Sequence, residues 1–345
     1  MRYIMLLWPH ANARYQNETL KLADAELRLM LDKTLPEARI SLPEGLDMPC
    51  LAIDASEALP DDALAAIRRH SLLYGLFEAL PEGTLRPVAG RAPALVGQDL
   101  PAILKYKGKT NEMFLHLLAN AALSASDFSA QQASRLRFFD PMCGRGTGLF
   151  VAVNRGWDAV GADVDRPALQ EAEKFFKRYL EYHRFKHSVS RESRTIRARE
   201  SAPTVRFEFA GDAGRFKAGD ALTLSLSALD AGQAAAAFGR NAFHIIACDL
   251  PYGVRHDAHP SGGAPAGRNW LEKLLAQALP AWHEVLKPGG AAAVSFNAQT
   301  FPLEKLRGMM ERAGFEVMRG GAYDQFTHWV EQAITRDIAV CRKAH

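Results

Sequence analysis

Hydrophobic positions change their rhythm about one third of the way along the chain. Residues 2–8 form a short apolar, β-prone run, and Leu20, Ala23, Leu27, Met30 and Leu31 then recur at helical spacing. Two strand-like stretches follow, near 38–42 and 50–54. Pro60 opens a helical pattern over 61–69, and 71–79 is again strand-like. The order β-α-β-β-α-β predicts a small ferredoxin-like α+β domain over residues 1–80. Pro81, Gly83, Pro87, Gly90, Pro93, Gly97 and Pro101 punctuate what comes next, so 81–104 is expected to be a linker.

Beyond it, helical and strand-like periods alternate. A helix over 111–123 precedes a strand at 136–140, then a glycine loop with its helix, then a strand at 159–163. Pro167 opens a long helix through about 183, a position where proline is tolerated. Further strands are expected at 205–210, 243–249, 291–296, 315–318 and 336–342. This alternation predicts an α/β domain over 105–345, built on a doubly wound, seven-stranded, Rossmann-like sheet. Two stretches interrupt it and are expected to be insertions: the Arg-rich 190–201 and the Ala-rich 231–238.

Composition narrows the class. Of 345 residues, 48% are hydrophobic and 23% charged, which excludes a disordered or collagen-like chain. No apolar run approaches the roughly 20 residues of a membrane span. The N-terminal apolar run is too short for the core of a secretory signal. Cys50, Cys143, Cys248 and Cys341 lie far apart without metal-ligand or redox spacing, so a reduced, cytoplasmic protein with no metal site is expected. The net charge of +3 conceals an asymmetry: residues 1–104 carry 10 basic and 14 acidic side chains, the remainder 32 and 25. Within 174–199 there are nine basic residues and two acidic ones. Phe175, Phe176, Tyr179, Tyr182 and Phe185 are interleaved with them, which makes this window the candidate nucleic-acid contact. An amphipathic helix with an aromatic core face is the competing reading.

The strongest site signal is Asp140-Pro141-Met142-Cys143-Gly144-Arg145-Gly146-Thr147-Gly148, between a strand and a helix. Leu149 stands where a dinucleotide fingerprint has its third glycine, and no Gly-Lys-Ser/Thr closes a P-loop. An acid in front of the loop repels a pyrophosphate but suits the cationic end of S-adenosyl-L-methionine. Asp140, Pro141, Cys143, Gly144, Gly146 and Thr147 are therefore candidate cofactor residues. Asp163, ending the next strand, is placed to accept from ribose hydroxyls, with Asp165 capping the following helix. Asp212, after the strand expected at 205–210, is the candidate acceptor for the adenine amine. Ligands of a doubly wound sheet bind along this edge.

The fourth strand ends in Cys248-Asp249-Leu250-Pro251-Tyr252-Gly253. An exocyclic amine conjugated to a ring is a poor nucleophile because its lone pair is delocalised. The Asp249 carboxylate and the Leu250 carbonyl are candidate acceptors for its N–H groups, favouring a more tetrahedral nitrogen. Pro251 fixes the local backbone, and Tyr252 offers a face on which an extruded base stacks. Asp249 also faces the cofactor. Cys143 and Cys248 are read as packing residues.

With Val285-Leu286-Lys287-Pro288-Gly289-Gly290, these motifs resemble class I S-adenosylmethionine-dependent methyltransferases over roughly residues 105–343. The longer stretches 249–255 and 105–113 resemble THUMP-linked RNA guanine-N2 methyltransferases, and Thr335-Arg336 fits them loosely. Leu250 replaces the usual first proline, and residues 80–104 are too few for a THUMP domain. The resemblance implies RNA, tRNA favoured, as partner and substrate, with methyl transfer to the N2 amine of a guanine. DNA adenine or cytosine, a protein glutamine amide, and a non-catalytic cofactor-binding scaffold remain open. Arg191, Arg194, Arg197 and Arg199 are candidate RNA contacts, and 256–267 is a candidate substrate lid.

Overall fold

The N-terminal strands pair as an antiparallel sheet. β1 (Arg2–Leu7), β2 (Arg39–Ser41), β3 (Cys50–Asp54), β4 (Leu73–Ala79) and β5 (Leu85–Gly90) lie in the order β2-β3-β1-β4-β5. The computed structural model describes residues 1–9, 13–43, 48–129, 135–197, 200–251 and 269–345. With α1 (Ala13–Leu31) and α2 (Asp61–Ile67), the first four strands have the expected ferredoxin-like order. Alternating side chains explain it: Tyr3, Met5, Leu7, Leu51, Ile53 and Leu73 pack on Ala23, Leu27 and Leu31 of α1 and on Ala63 and Ile67 of α2.

The expected linker is partly something else. Residues 85–90 return as β5 alongside β4, and Pro87 is accommodated because β5 is an edge strand. A short α3 (Leu100–Ile103) follows. Between them, Leu95 N donates to Asn154 O at 3.0 Å and Asn154 Nδ2 donates to Gly97 O at 2.7 Å. This stretch is docked on the second sheet's core rather than strung between two bodies.

The second sheet begins after α4 (Glu112–Ala125). Its elements are β6 (Arg137–Asp140), α5 (Thr147–Asn154), β7 (Asp158–Asp163), α6 (Arg166–Tyr182), β8 (Lys186–Arg197), β9 (Glu200–Ala210), α7 (Ala213–Lys217), β10 (Leu222–Ala228), α8 (Ala234–Phe238), β11 (Phe243–Asp249), α9 (Trp270–Val285), β12 (Leu286–Asn297), α10 (Leu303–Arg312), β13 (Glu316–Val317), β14 (His328–Glu331) and β15 (Ile334–Arg342). The strand order is β13-β15-β12-β11-β6-β7-β10-β9-β8, with β14 on β15. β12, β11, β6, β7 and β10 are mutually parallel. Successive residues feed opposite faces: Phe138, Ala159, Leu224 and Ile245 face α4, α5 and α6, while Phe139, Val160, Ile246 and Val294 face α9 and α10. The fold is thus α/β and doubly wound, as expected.

Among the described residues the second sheet has ten strands rather than seven. Among the described residues, the Arg-rich stretch forms the end of β8 and the start of β9, a long hairpin at the sheet edge. The strand expected at 205–210 runs antiparallel to its neighbour. The parallel neighbour of β7 is β10, whose Leu222-Thr223-Leu224-Ser225-Leu226-Ser227 alternation looks half-polar although the strand is buried. Its hydroxyls are used internally, as in the 2.9 Å contact between Thr204 and Ser227. The Ala-rich stretch forms a 3-10 turn and α8.

α1 buries a second stripe, Leu22, Ala25 and Leu29, in the core that holds α4 and α5. A buried polar group fixes this joint. Glu26 accepts from Ser71 N at 2.9 Å and from Asn120 Nδ2 of α4 at 2.5 Å, and Asn120 Oδ1 accepts from Arg155 at 2.6 Å. No helix among the described residues is long and apolar enough to cross a membrane.

Candidate active site

β6 ends at Asp140 and the chain turns sharply into α5. Gly144 (φ 49°) and Gly146 (φ 82°) adopt the left-handed conformation that side chains disfavour, and Gly146 caps α5. Cys143 N donates to Ala162 O at 3.0 Å, tying the turn to β7. Pro141, Cys143 and Thr147 are buried. A Cβ on Gly148 would lie 2.9 Å from Asp140 Oδ2, so the start of α5 and this carboxylate are in close contact. Tyr106, from the segment before α4, covers the turn. Its hydroxyl is 3.1 Å from Thr147 Oγ1, and the Arg145 guanidinium lies over its ring at 4.6 Å.

Three carboxylates converge on this edge, because β7, β6 and β11 are consecutive strands. Asp140 is buried, and Met142 N donates to its Oδ1 at 3.1 Å. Burial pushes its pKa up to about 8, and the charges of Asp163 and Asp249 add to the effect. Asp163 accepts from Gly144 N at 2.7 Å and from Asp165 N at 2.8 Å; burial raises its pKa too. Asp165 caps α6 by accepting from Ala168 N at 3.0 Å, as expected. Asp249 ends β11, where its Oδ2 accepts from Thr110 Oγ1 at 2.5 Å. Burial, then these carboxylates, push the Cys143 and Cys248 thiols well above their usual range, which keeps both from acting as nucleophiles.

Asp212 is not at this edge. β9 runs antiparallel to β10, so its C-terminal end points away from Asp163. Six residues of strand separate the two edges, about 20 Å at roughly 3.3 Å per residue. Asp212 instead caps α7, accepting from Arg215 N at 2.9 Å. The place expected for it is taken by Asp230, two residues beyond β10, whose Oδ1 accepts from Gly232 N at 2.8 Å. Leu229 N donates to Asp163 O at 3.0 Å, joining the two strand ends. Val164, next to Asp163, leaves half of its apolar surface exposed. The Leu/Ser alternation running into Leu229-Asp230 is the signal that identifies this strand end.

On the other side of Asp249, Leu250 is buried and its N–H donates to Ser295 O at 2.9 Å. Pro251 is partly exposed. Tyr252, Arg199 and the expected lid 256–267 lie outside the described residues. Nearby, Phe114 carries the Arg336 guanidinium at 4.2 Å and the His328 ring at 5.5 Å. His328 Nδ1 donates to Phe326 O at 2.8 Å, and burial lowers its pKa to about 4.

The aromatic residues of the basic window divide. Phe176 and Tyr179 are buried, and Phe175 and Phe185 pack against the same core, whereas Tyr182 is 83% exposed. The helix therefore has an aromatic core face, as the competing reading expects. Arg191 pairs with Glu173 at 2.5 Å, and Arg194 lies over Phe238 at 5.1 Å.

No family model and no curated protein matches the chain. Among solved structures it is similar to an rRNA methyltransferase from Streptomyces viridochromogenes, at 16% identity over 72% of this chain and 91% of that one, with a TM-score of 0.38. A magnesium protoporphyrin IX methyltransferase from Synechocystis, with bound S-adenosylmethionine, matches at 13% identity over 71% and 90%, TM-score 0.38. A TehB-like S-adenosylmethionine-dependent methyltransferase from Corynebacterium glutamicum matches at 16% over 62% and 83%, TM-score 0.35.

Proposed function

We propose that this chain is an S-adenosylmethionine-dependent methyltransferase acting on the exocyclic amine of a base in RNA, with the N2 amine of a guanine in tRNA or another structured RNA as acceptor. The observation that carries the reading is the gathering of Asp140, Asp163 and Asp249 around a glycine turn. Buried like charges at one edge disfavour one another's ionisation, and a cationic ligand relieves them. The cofactor supplies an electrophilic methyl group on a sulfonium, which is such a cation.

The residues fit that group. The turn from Asp140 to Thr147, under Tyr106, borders its amino-acid end. Asp163 accepts from ribose hydroxyls, and Asp230 with the exposed apolar surface of Val164 serves the adenine. Asp249 and the Leu250 carbonyl accept from the N–H groups of the acceptor, Pro251 holds that carbonyl, and Tyr252 stacks on the base. Holding the amine in line with the reacting carbon is a large part of the rate such a site supplies.

RNA as partner is supported by the basic window and by the exposed Tyr182 within it. The guanine-N2 assignment rests on the resemblance of 105–113 and 249–255 to enzymes of that class. The test incubates purified protein and tritiated cofactor with RNA from a strain lacking the gene, comparing wild type with Asp249→Ala. Label that ribonuclease removes, and that the variant fails to deposit, supports the reading. Label removed only by deoxyribonuclease or protease moves the acceptor to DNA or protein. Cofactor binding without transfer to any acceptor leaves a scaffold.

A further inference from the structure

Asp249 has two neighbours from remote parts of the chain. Thr110, just before α4, donates to Oδ2 at 2.5 Å, and Arg336 on β15 places a guanidinium nitrogen 3.9 Å from the same oxygen. Arg336 starts two strands away: Asp249 is registered with Ser295 on β12, and Asn297 with Arg336. At about 4.8 Å per strand that is roughly 10 Å, so the side chain must extend over the end of β12 to arrive. Phe114 holds it there, 4.2 Å beneath the guanidinium carbon. Thr110 lies two residues before α4 and Phe114 in its first turn, so the entry to α4 supplies both the hydroxyl and the shelf. The Arg336 and Asp249 side chains are only 9% and 13% exposed.

We infer that Arg336 is a positioning residue for Asp249, holding the carboxylate in the orientation in which it accepts from the substrate amine. The inference rests on the methyltransferase reading above. A separation of 3.9 Å exceeds a direct hydrogen bond, yet it gives a substantial ion–ion attraction in a partly buried site. The stacked guanidinium cannot close the gap without leaving the ring, whose face attracts it. Among the described residues, the other titratable groups coupled to Asp249 include Asp140, Cys248 and His328. Asp140 is an acid and Cys248 a thiol. Burial lowers the pKa of His328 to about 4, so near neutral pH it does not supply the positive charge.

The experiment uses the full chain, tritiated cofactor and bulk RNA from the deletion strain, with calorimetric cofactor binding and melting temperature measured alongside. Arg336→Met should lower kcat about 100-fold, as misplacement of a reacting group does, with the cofactor Kd within about threefold of wild type. Arg336→Lys, which keeps the charge but not the planar stack, should recover about tenfold of that loss. Phe114→Leu, which removes the shelf and leaves the arginine, should also lower kcat. A purely structural arginine would instead change melting temperature and Kd, and lysine would not restore kcat. Wild-type kcat in Arg336→Met, or lysine no better than methionine, overturns the inference while the methyltransferase reading stands. A wild type that binds cofactor but labels no RNA overturns both.

Discussion

The hydroxyl of Tyr106 lies 3.1 Å from Oγ1 of Thr147, so the segment before α4 is joined to the first turn of the helix that follows the glycine loop. Its ring also carries Arg145. Tyr106→Phe removes one hydrogen bond and is expected to weaken cofactor binding about fivefold, the effect of roughly 1 kcal/mol. Tyr106→Ala uncovers the turn and should cost more. Calorimetry with the cofactor measures both, and equal affinities for all three proteins would detach Tyr106 from the site.

Asp140 makes the site pH-sensitive. Burial raises its pKa to about 8, against an ordinary value of 3.8. Between those values the folded chain holds a proton that the unfolded chain has lost, so stability falls as pH rises through the window. A bound cation favours the ionised form, so cofactor binding near pH 7 should release a proton and tighten as pH rises towards 8. Calorimetry at pH 7 in buffers of different ionisation enthalpy reads the released proton directly. Asp140→Asn should abolish both the release and this part of the pH dependence of the melting temperature.

Asp212 and Asp230 are separated by the reversal of β9. Asp212→Ala is expected to leave cofactor affinity unchanged and to cost about 1 kcal/mol or less, through loss of a helix cap. Asp230→Ala should weaken cofactor binding about tenfold, as loss of a hydrogen bond to a partly buried acceptor does. The two dissociation constants, measured side by side, check the reassignment.

The joint between the N-terminal sheet and the core of the second sheet depends on Glu26. Its carboxylate meets Ser71, Asn120 and, at 3.3 Å, His70, all of them buried. Glu26→Ala strands these partners and should destabilise the chain by about 3–5 kcal/mol, the usual cost of breaking a buried charged group's contacts. Denaturant unfolding measures it, and a change under 1 kcal/mol would show the joint to be carried by Leu22, Ala25 and Leu29 alone.

What could be read from the sequence was local. The glycine turn, the Asp165 cap and the position of Asp249 at a strand end follow from short motifs at element boundaries, where few backbone conformations are possible. The misplaced Asp212 has a non-local cause. A Gly-Asp after a β-prone run marks a strand end, but only pairing across the hairpin of β8 and β9 decides which edge of the sheet it occupies. β10 was hidden because Thr223 and Ser227 satisfy their hydroxyls inside the protein. The basic window showed the opposite ambiguity: its aromatic spacing fits either a core face or a stacking surface, and Phe176 and Tyr179 are in the core. Thr110 and Arg336 meet Asp249 only through tertiary structure, and no local pattern joins them.

The acceptor proposed for the methyl group is the N2 amine of a guanine. Mass spectrometry of nucleosides from the total tRNA and rRNA of a strain lacking the gene, against its parent, tests it most directly. One N2-methylguanosine position is expected to be lost in the deletion strain, restored by the wild-type chain and not by Asp249→Ala. An unchanged nucleoside profile, from a strain whose wild-type protein binds the cofactor, would contradict it.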